Sequence, residues 1–158
     1  MKHTIEIEVN GEAWSLDVAP GETLLEVLRE KAGVKSPKIG CERGDCGSCT
    51  VVYDGKTVRS CLMLAVEADG HQITTLEGLG ADGLTVLQEK MIEMSSFQCG
   101  FCAPGMLLSI RELLDDHPSP TREEVQEAIS GNLCRCTGYD PIVDAVLEVT
   151  RTGSRDES

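Results

Sequence analysis

Eight cysteines are the side chains of this sequence best equipped for chemistry, and they fall into two sets of four. Cys41, Cys46, Cys49 and Cys61 follow C-x4-C-x2-C-x11-C, three from one short stretch and the fourth further on. This is the plant-type spacing for the ligands of a [2Fe-2S] cluster. Its logic is geometric. Three sulfurs must converge from one loop, and Gly40, Gly44 and Gly47 remove side chains that would keep backbone N–H groups away from the sulfides. Such donors stabilise the added negative charge of a reduced cluster and so raise its potential. The alternative is a structural zinc site with four thiolates, although structural zinc favours paired C-x2-4-C knuckles.

The second set, Cys99, Cys102, Cys134 and Cys136, follows C-x2-C-x31-C-x1-C. A C-x-C pair is cramped for a zinc knuckle, whereas two thiolates one residue apart can share a cluster edge across a tight turn. Pro104 suits the first turn of a helix opening after Cys102, whose free N–H groups and dipole favour bound negative charge.

The elements that must position these cysteines are legible from periodicity. Residues 2 to 9 alternate, with Ile5, Ile7 and Val9 on one face, and Asn10-Gly11 gives a hairpin turn into a strand over Ala13 to Val18. Thr23 with Glu26 forms a capping box for a helix to about Ala32, ended by Gly33. Periodicity then vanishes from Val34 to Cys49, as a loop wrapped around something requires. Strands return at Thr50 to Tyr53, at Thr57 to Ser60 after the Asp54-Gly55 turn, and at Gln72 to Leu76. Beyond Gly78 the pattern becomes helical: Leu84, Leu87, Met91 and Met94, then Met106, Ile110, Leu113 and Leu114, then a second capping box at Thr121 and Glu124, then Asp140-Pro141 ahead of Ile142, Val143, Val146 and Leu147. The expectation is an α+β chain: an N-terminal β-grasp, plant-type ferredoxin-like domain over 1–78 and a C-terminal four-helix domain over 79–158, with a frayed tail from Thr152 to Ser158.

Composition narrows the function classes. The chain has 158 residues, 27 acidic and 14 basic side chains, a net charge of −13, and only two Phe, two Tyr and one Trp. An acidic surface with few rings argues against nucleic acid as a partner. There is no run of about 18 apolar residues, so membrane insertion is not expected. The N-terminus carries no signal-peptide stretch, and eight cysteines then point to a reducing compartment, by default the cytoplasm. No Ser, His and Asp combination or phosphate loop is present, and Gly78-x-Gly80-x-x-Gly83 lacks the βαβ context of a dinucleotide site. Bond-making chemistry is therefore expected on another chain.

Three segments go beyond generic patterns: residues 40–50 (GCERGDCGSCT), residues 98–105 (QCGFCAPG) and residues 131–139 (GNLCRCTGY). Together they closely resemble the iron–sulfur subunit of the molybdenum hydroxylases, which include xanthine dehydrogenases, aldehyde oxidoreductases, aerobic-type carbon monoxide dehydrogenases and 4-hydroxybenzoyl-CoA reductases. The likeness covers about residues 3 to 150, in the family's order and spacing. It implies two [2Fe-2S] clusters: one on Cys41, Cys46, Cys49 and Cys61, nearer a flavin, and one on Cys99, Cys102, Cys134 and Cys136, next to the pterin. It further implies that Gln98 hydrogen-bonds the molybdopterin and that Cys136 lies close to it. A large molybdopterin-binding subunit, with the cofactor in a dinucleotide form, and a medium FAD-binding subunit would complete a heterotrimer or its dimer. The implied role is a non-catalytic electron-transfer subunit of a hydroxylase or dehydrogenase. A reductive dehydroxylase of the same family and a stand-alone ferredoxin are the alternatives. Ala103 departs from the family, which usually has Thr there.

Other residues carry plainer expectations. Arg135, between two cysteines, is read equally as a tuning charge or an ordinary solvated arginine, and Lys38 and Arg43 as exposed. His3, His71 and His117 are read as surface residues, and Trp14, Met91, Met94 and Met106 as core.

Overall fold

The computed structural model describes residues 2–153 and carries the α+β architecture expected from the sequence. Strands β1 (His3–Val9), β2 (Glu12–Val18), β3 (Thr50–Tyr53), β4 (Lys56–Arg59) and β5 (Gln72–Thr74) form one sheet in the order β2-β1-β5-β3-β4. All neighbours are antiparallel except β1 and β5, which pair in parallel through Glu8 with Gln72 and Val9 with Ile73. Both hairpins turn through two residues in the left-handed region, Asn10-Gly11 at φ 54° and 83° and Asp54-Gly55 at 45° and 85°. These primed turns match the right-handed twist of the strands they join.

Helix α1 (Leu24–Glu30) opens on the Thr23–Glu26 capping box and lays Leu24, Val27 and Leu28 against Ile5, Ile7, Val9, Val18, Val51 and Ile73. Trp14 and Leu16 are half-buried at the edge of this core. The helix stops two residues before the expected Ala32, and the chain leaves through Gly33 at φ 71°. Strand β4 begins and ends one residue earlier than the spacing suggested, because Ser60 turns to donate its hydroxyl to Cys49 O at 2.6 Å. Strand β5 is two residues shorter than expected: Thr75 leaves the ladder to bond Asn10, its N–H donating to Oδ1 at 2.8 Å.

The helical region contains α2 (Leu76–Leu79), α3 (Val86–Glu93), α4 (Ala103–Asp116), α5 (Arg122–Ile129) and α6 (Asp140–Gly153). The one-turn α2 is an addition to the four expected helices. A second core gathers Leu87, Met91, Met106, Ile110, Val125, Ile129, Ile142, Val143 and Val146. Met94 is not part of it. Met94 caps α3 and is 38% exposed, because the helix ends there and Ser95 at φ 51° redirects the chain. Leu84 likewise precedes the Thr85 N-cap and is exposed. Helix α6 runs through Thr152 to Gly153, so the tail expected to fray from Thr152 begins helical, and its remainder lies outside the described residues.

Helix α4 joins the two cores by packing on β3 and β4. Thr57 donates its N–H to Glu112 at 3.1 Å and its hydroxyl to the same oxygen, while Lys56 pairs with Asp116 at 3.0 Å and Glu112 at 3.5 Å. No helix among the described residues is long and apolar enough to cross a membrane.

Candidate metal centres

The loop over residues 34–49 is held by carbonyls and side chains in place of a regular ladder. Arg29 donates to Lys35 O at 3.1 Å and Pro37 O at 2.7 Å, and Lys38 N–H donates to Ser48 O at 2.9 Å. Glu77, from α2, closes the same loop. Its carboxylate accepts Lys35 N–H at 3.0 Å, Ser36 N–H at 2.8 Å, the Thr75 hydroxyl at 2.7 Å and the Ser36 hydroxyl. Burial opposes ionisation of Glu77, yet the hydroxyls of Ser36 and Thr75 together with the N–H groups of Glu77 and Ser36 outweigh it and hold the carboxyl at about 2. Nothing in the sequence singled out Glu77, whose loop partners lie 41 and 42 residues away.

All eight cysteines are free, and they associate in pairs. Cys46 donates its N–H to Cys41 Sγ at 3.4 Å, and the thiols of Cys49 and Cys61 interact in the interior. Cys99 and Cys136 bring their sulfurs to 3.6 Å at the surface, while the thiols of Cys102 and Cys134 are neighbours. Among the described residues no group of three or more His, Cys, Asp or Glu gathers around one point as the ligands of a single ion would.

Each set has thiols shifted in opposite directions. The N–H groups of Arg43 and Cys46 bring Cys41 down to about 7, whereas burial and then the neighbouring Cys49 push Cys61 up to about 11. In the second set the Phe101 N–H and then the Cys136 thiol lower Cys99, and burial followed by Cys134 pushes Cys102 up to about 12. Burial would raise Cys134, but the Thr137 hydroxyl, 3.1 Å from its sulfur, and the N–H groups of Thr137 and Cys136 lower it. The hydrogen bond to Cys99 raises Cys136. Backbone N–H groups aimed at sulfur are the donors that a bound polynuclear anion requires.

Local structure explains how the second set converges. Cys102 is the N-cap of α4, with Pro104 in the first turn as the spacing suggested. Cys134 and Cys136 lie in the α5–α6 connection, where Tyr139, at φ 72°, accepts the Cys134 N–H on its hydroxyl at 2.9 Å. Gln98 donates Nε2–H to Cys136 O at 3.0 Å, which leaves its amide oxygen and second N–H for another group. Exposed Phe101 and Leu133 flank this set, and exposed Ile39 and Leu62 flank the first.

The two cysteine loops touch directly. Leu133 N–H donates to Cys46 O at 2.9 Å. Beside this bond the buried Asn132 donates to Gly47 O at 3.1 Å and accepts the Ser109 hydroxyl at 2.9 Å. The approach is too close for side chains: a Cβ on Gly47 would lie 2.3 Å from Gly131 O, and one on Gly105 would lie 2.3 Å from Gly47 O. The structure leaves Arg135 and Arg43 exposed, with Arg43 paired to Asp45 at 2.7 Å. His3 is exposed, His71 pairs with Asp54 at 2.6 Å, and His117 lies 3.6 Å from Glu124, each away from the cysteines.

Residues 7–77 match the family described as 2Fe-2S iron-sulfur cluster binding domain, and residues 75–147 match the [2Fe-2S] binding domain. The nicotine 6-hydroxylase small subunit of Paenarthrobacter nicotinovorans is 51% identical over 91% of this chain and 87% of its own. The nicotinate dehydrogenase small FeS subunit of Eubacterium barkeri is 50% identical over 92% and 93%. The chain belongs to the iron–sulfur small subunits of the molybdenum hydroxylases. Quinoline 2-oxidoreductase from Pseudomonas putida 86 contains a chain that superposes with a TM-score of 0.89 at 46% identity, covering 96% of this chain and 98% of that one. Against the aldehyde oxidoreductase of Desulfovibrio desulfuricans the TM-score is 0.90 at 43% identity, but only 17% of that longer chain is covered. As a small subunit of this family, the protein is an iron–sulfur electron-transfer component of an oxidoreductase complex.

Proposed function

We propose that Cys41, Cys46, Cys49 and Cys61 hold one [2Fe-2S] cluster and that Cys99, Cys102, Cys134 and Cys136 hold a second, in units spanning residues 1–78 and 79–158. The observation that carries this reading is the pairing of thiols within each set. A two-iron rhomb takes two thiolates on each iron, whereas a tetrahedral zinc ion gathers four around one point. When bound, each cluster supplies a carrier for a single electron. The chain's own residues hold the sulfurs, aim N–H groups at them, bury Cys49, Cys61 and Cys102 from water, and join the loops through Leu133 and Cys46.

The partners follow from family membership. A large subunit carrying molybdopterin, in a dinucleotide form, would cover the face with Gln98, Cys99, Cys136, Phe101 and Leu133, where the uncommitted amide atoms of Gln98 can bond the pterin. A medium subunit carrying FAD would cover the face with Ile39, Cys41 and Leu62. Together they form a heterotrimer or its dimer in the cytoplasm, and electrons leave the molybdenum centre through this chain towards the flavin.

Anaerobic isolation of the complex tests the reading. About four irons and four acid-labile sulfides per chain, and two distinct electron paramagnetic resonance signals on reduction, are expected together with two larger subunits. Zinc in place of iron would end it, and two clusters in a chain with no partners would favour a stand-alone ferredoxin.

A further inference from the structure

A cation stands where the two cysteine loops meet. Arg59 ends β4 two residues before Cys61 and is half-buried. Its Nη1 donates to Thr50 Oγ1 at 2.6 Å, and Thr50 follows Cys49 in the chain. Its Nη2 donates to Gly131 O at 2.8 Å, three residues before Cys134. Gly131 is shaped to this contact, since a Cβ there would lie 2.5 Å from the same nitrogen. Both acceptors are neutral oxygens, so the hydrogen bonds fix the guanidinium without cancelling its charge. The other cations close in sequence to the cysteines are placed differently. Arg43 is exposed and paired with Asp45, Lys38 turns its ammonium to Lys35 O at 2.6 Å, and Arg135 is exposed.

A guanidinium stays charged at every accessible pH, and partial burial protects its field from screening by salt. Reduction adds a negative charge to a cluster, so a fixed neighbouring cation favours the reduced state. In a chain of net charge −13, this is the cation built into the junction that both cysteine sets share.

We propose that Arg59 is a positioning residue that also raises the reduction potentials of both clusters. The inference rests on the cluster assignment above. A unit charge acting over roughly 10 Å at an effective dielectric of about 20 shifts a one-electron equilibrium on the order of tenfold.

The test is a redox titration of the intact complex, followed by electron paramagnetic resonance for each cluster separately. Arg59→Gln and Arg59→Met are expected to lower the reduced-to-oxidised ratio of both clusters about tenfold at a fixed poise, about 59 mV for a one-electron couple. Arg59→Lys, which keeps the charge, is expected to stay within about threefold of wild type. Thr50→Val, which removes the hydroxyl's bonds with Arg59, Gly47 O and Asn132 but no charge, is expected to do the same. Unchanged potentials in the neutral variants, an equal shift in Arg59→Lys, or a shift in one cluster alone would overturn the inference. Loss of clusters from both neutral variants would overturn it in favour of a purely structural role. A wild-type complex without iron would instead sink the cluster assignment itself.

Discussion

Asn132→Asp probes the loop junction through a change of one atom. Asn132 is 1% exposed, and its Nδ2 donates to Gly47 O at 3.1 Å and approaches Thr50 Oγ1 at 3.4 Å, while Oδ1 accepts from Ser109 at 2.9 Å. Aspartate keeps the bond from Ser109 but sets a carboxylate oxygen against a carbonyl oxygen in a buried place. Alanine also loses the donor, yet its former partners remain bonded. Gly47 O still accepts Thr50 N–H at 3.1 Å and the Thr50 hydroxyl at 2.6 Å, and Ser109 still donates to Gly105 O at 3.1 Å. Two hydrogen bonds at about 1 kcal/mol each, plus a small cavity, put Asn132→Ala at about 2–3 kcal/mol. One lost bond plus a buried carboxylate set against Gly47 O, its charge only partly offset by the Arg59 guanidinium on the shared Thr50 hydroxyl, puts Asn132→Asp at about 3–5 kcal/mol. At roughly 2–4 °C per kcal/mol, midpoints fall by about 5–10 °C for alanine and about 10–15 °C for aspartate. The assay is loss of visible cluster absorbance on heating at one fixed scan rate, because cluster loss makes the transition irreversible. Aspartate tolerated as well as or better than alanine would refute the reasoning.

The other expectations concern single contacts. Cys134→Ser should remove the helical cluster's resonance signal while the other persists, and equal loss of both would show that the two loops fold only together. Gly105→Ala should destabilise the protein even though alanine at a helix position ordinarily gains about 1 kcal/mol, because the added methyl would lie 2.3 Å from Gly47 O. A raised melting midpoint would contradict this. Glu77→Gln should cost about 1–2 kcal/mol after discounting for the partial exposure of the carboxylate. Because the folded carboxyl lies at about 2, below its unfolded value of 4.5, its contribution is complete above the unfolded value and is lost as pH falls towards the folded one. The gap between wild type and Glu77→Gln should therefore stay constant from about pH 8 to about pH 5.5 and shrink as pH falls from about 5 to about 3, and a gap that stays constant over that lower interval would disprove the lowered pKa. Gln98→Ala should leave both clusters intact but weaken association with the molybdopterin-bearing partner; unchanged assembly and turnover would remove Gln98 from that contact.

Sequence alone determined the features whose causes are local. The Asn10-Gly11 and Asp54-Gly55 turns, the capping boxes at Thr23 and Thr121, the alternation of Ile5, Ile7 and Val9, and the Pro104 start of α4 each depend on residues within a few positions of one another. A third capping box, Thr85 with Gln88, was legible by the same rule and would have placed the start of α3 beyond Leu84. Local periodicity went wrong at Met94, where a left-handed Ser95 turns the chain after the pattern has promised another buried position.

Only the tertiary structure decided which cysteine faces which, that Asn132 bonds Gly47 across 85 residues, that Glu77 closes the loop before Cys41, and that Arg59 rather than Arg43 or Arg135 stands where the two loops join. The physical reason is that these contacts exist only after two separate cores have packed across α4. Which polar groups then lose water, and must find each other, is set by how the β3–β4 hairpin and the α5–α6 connection are brought face to face.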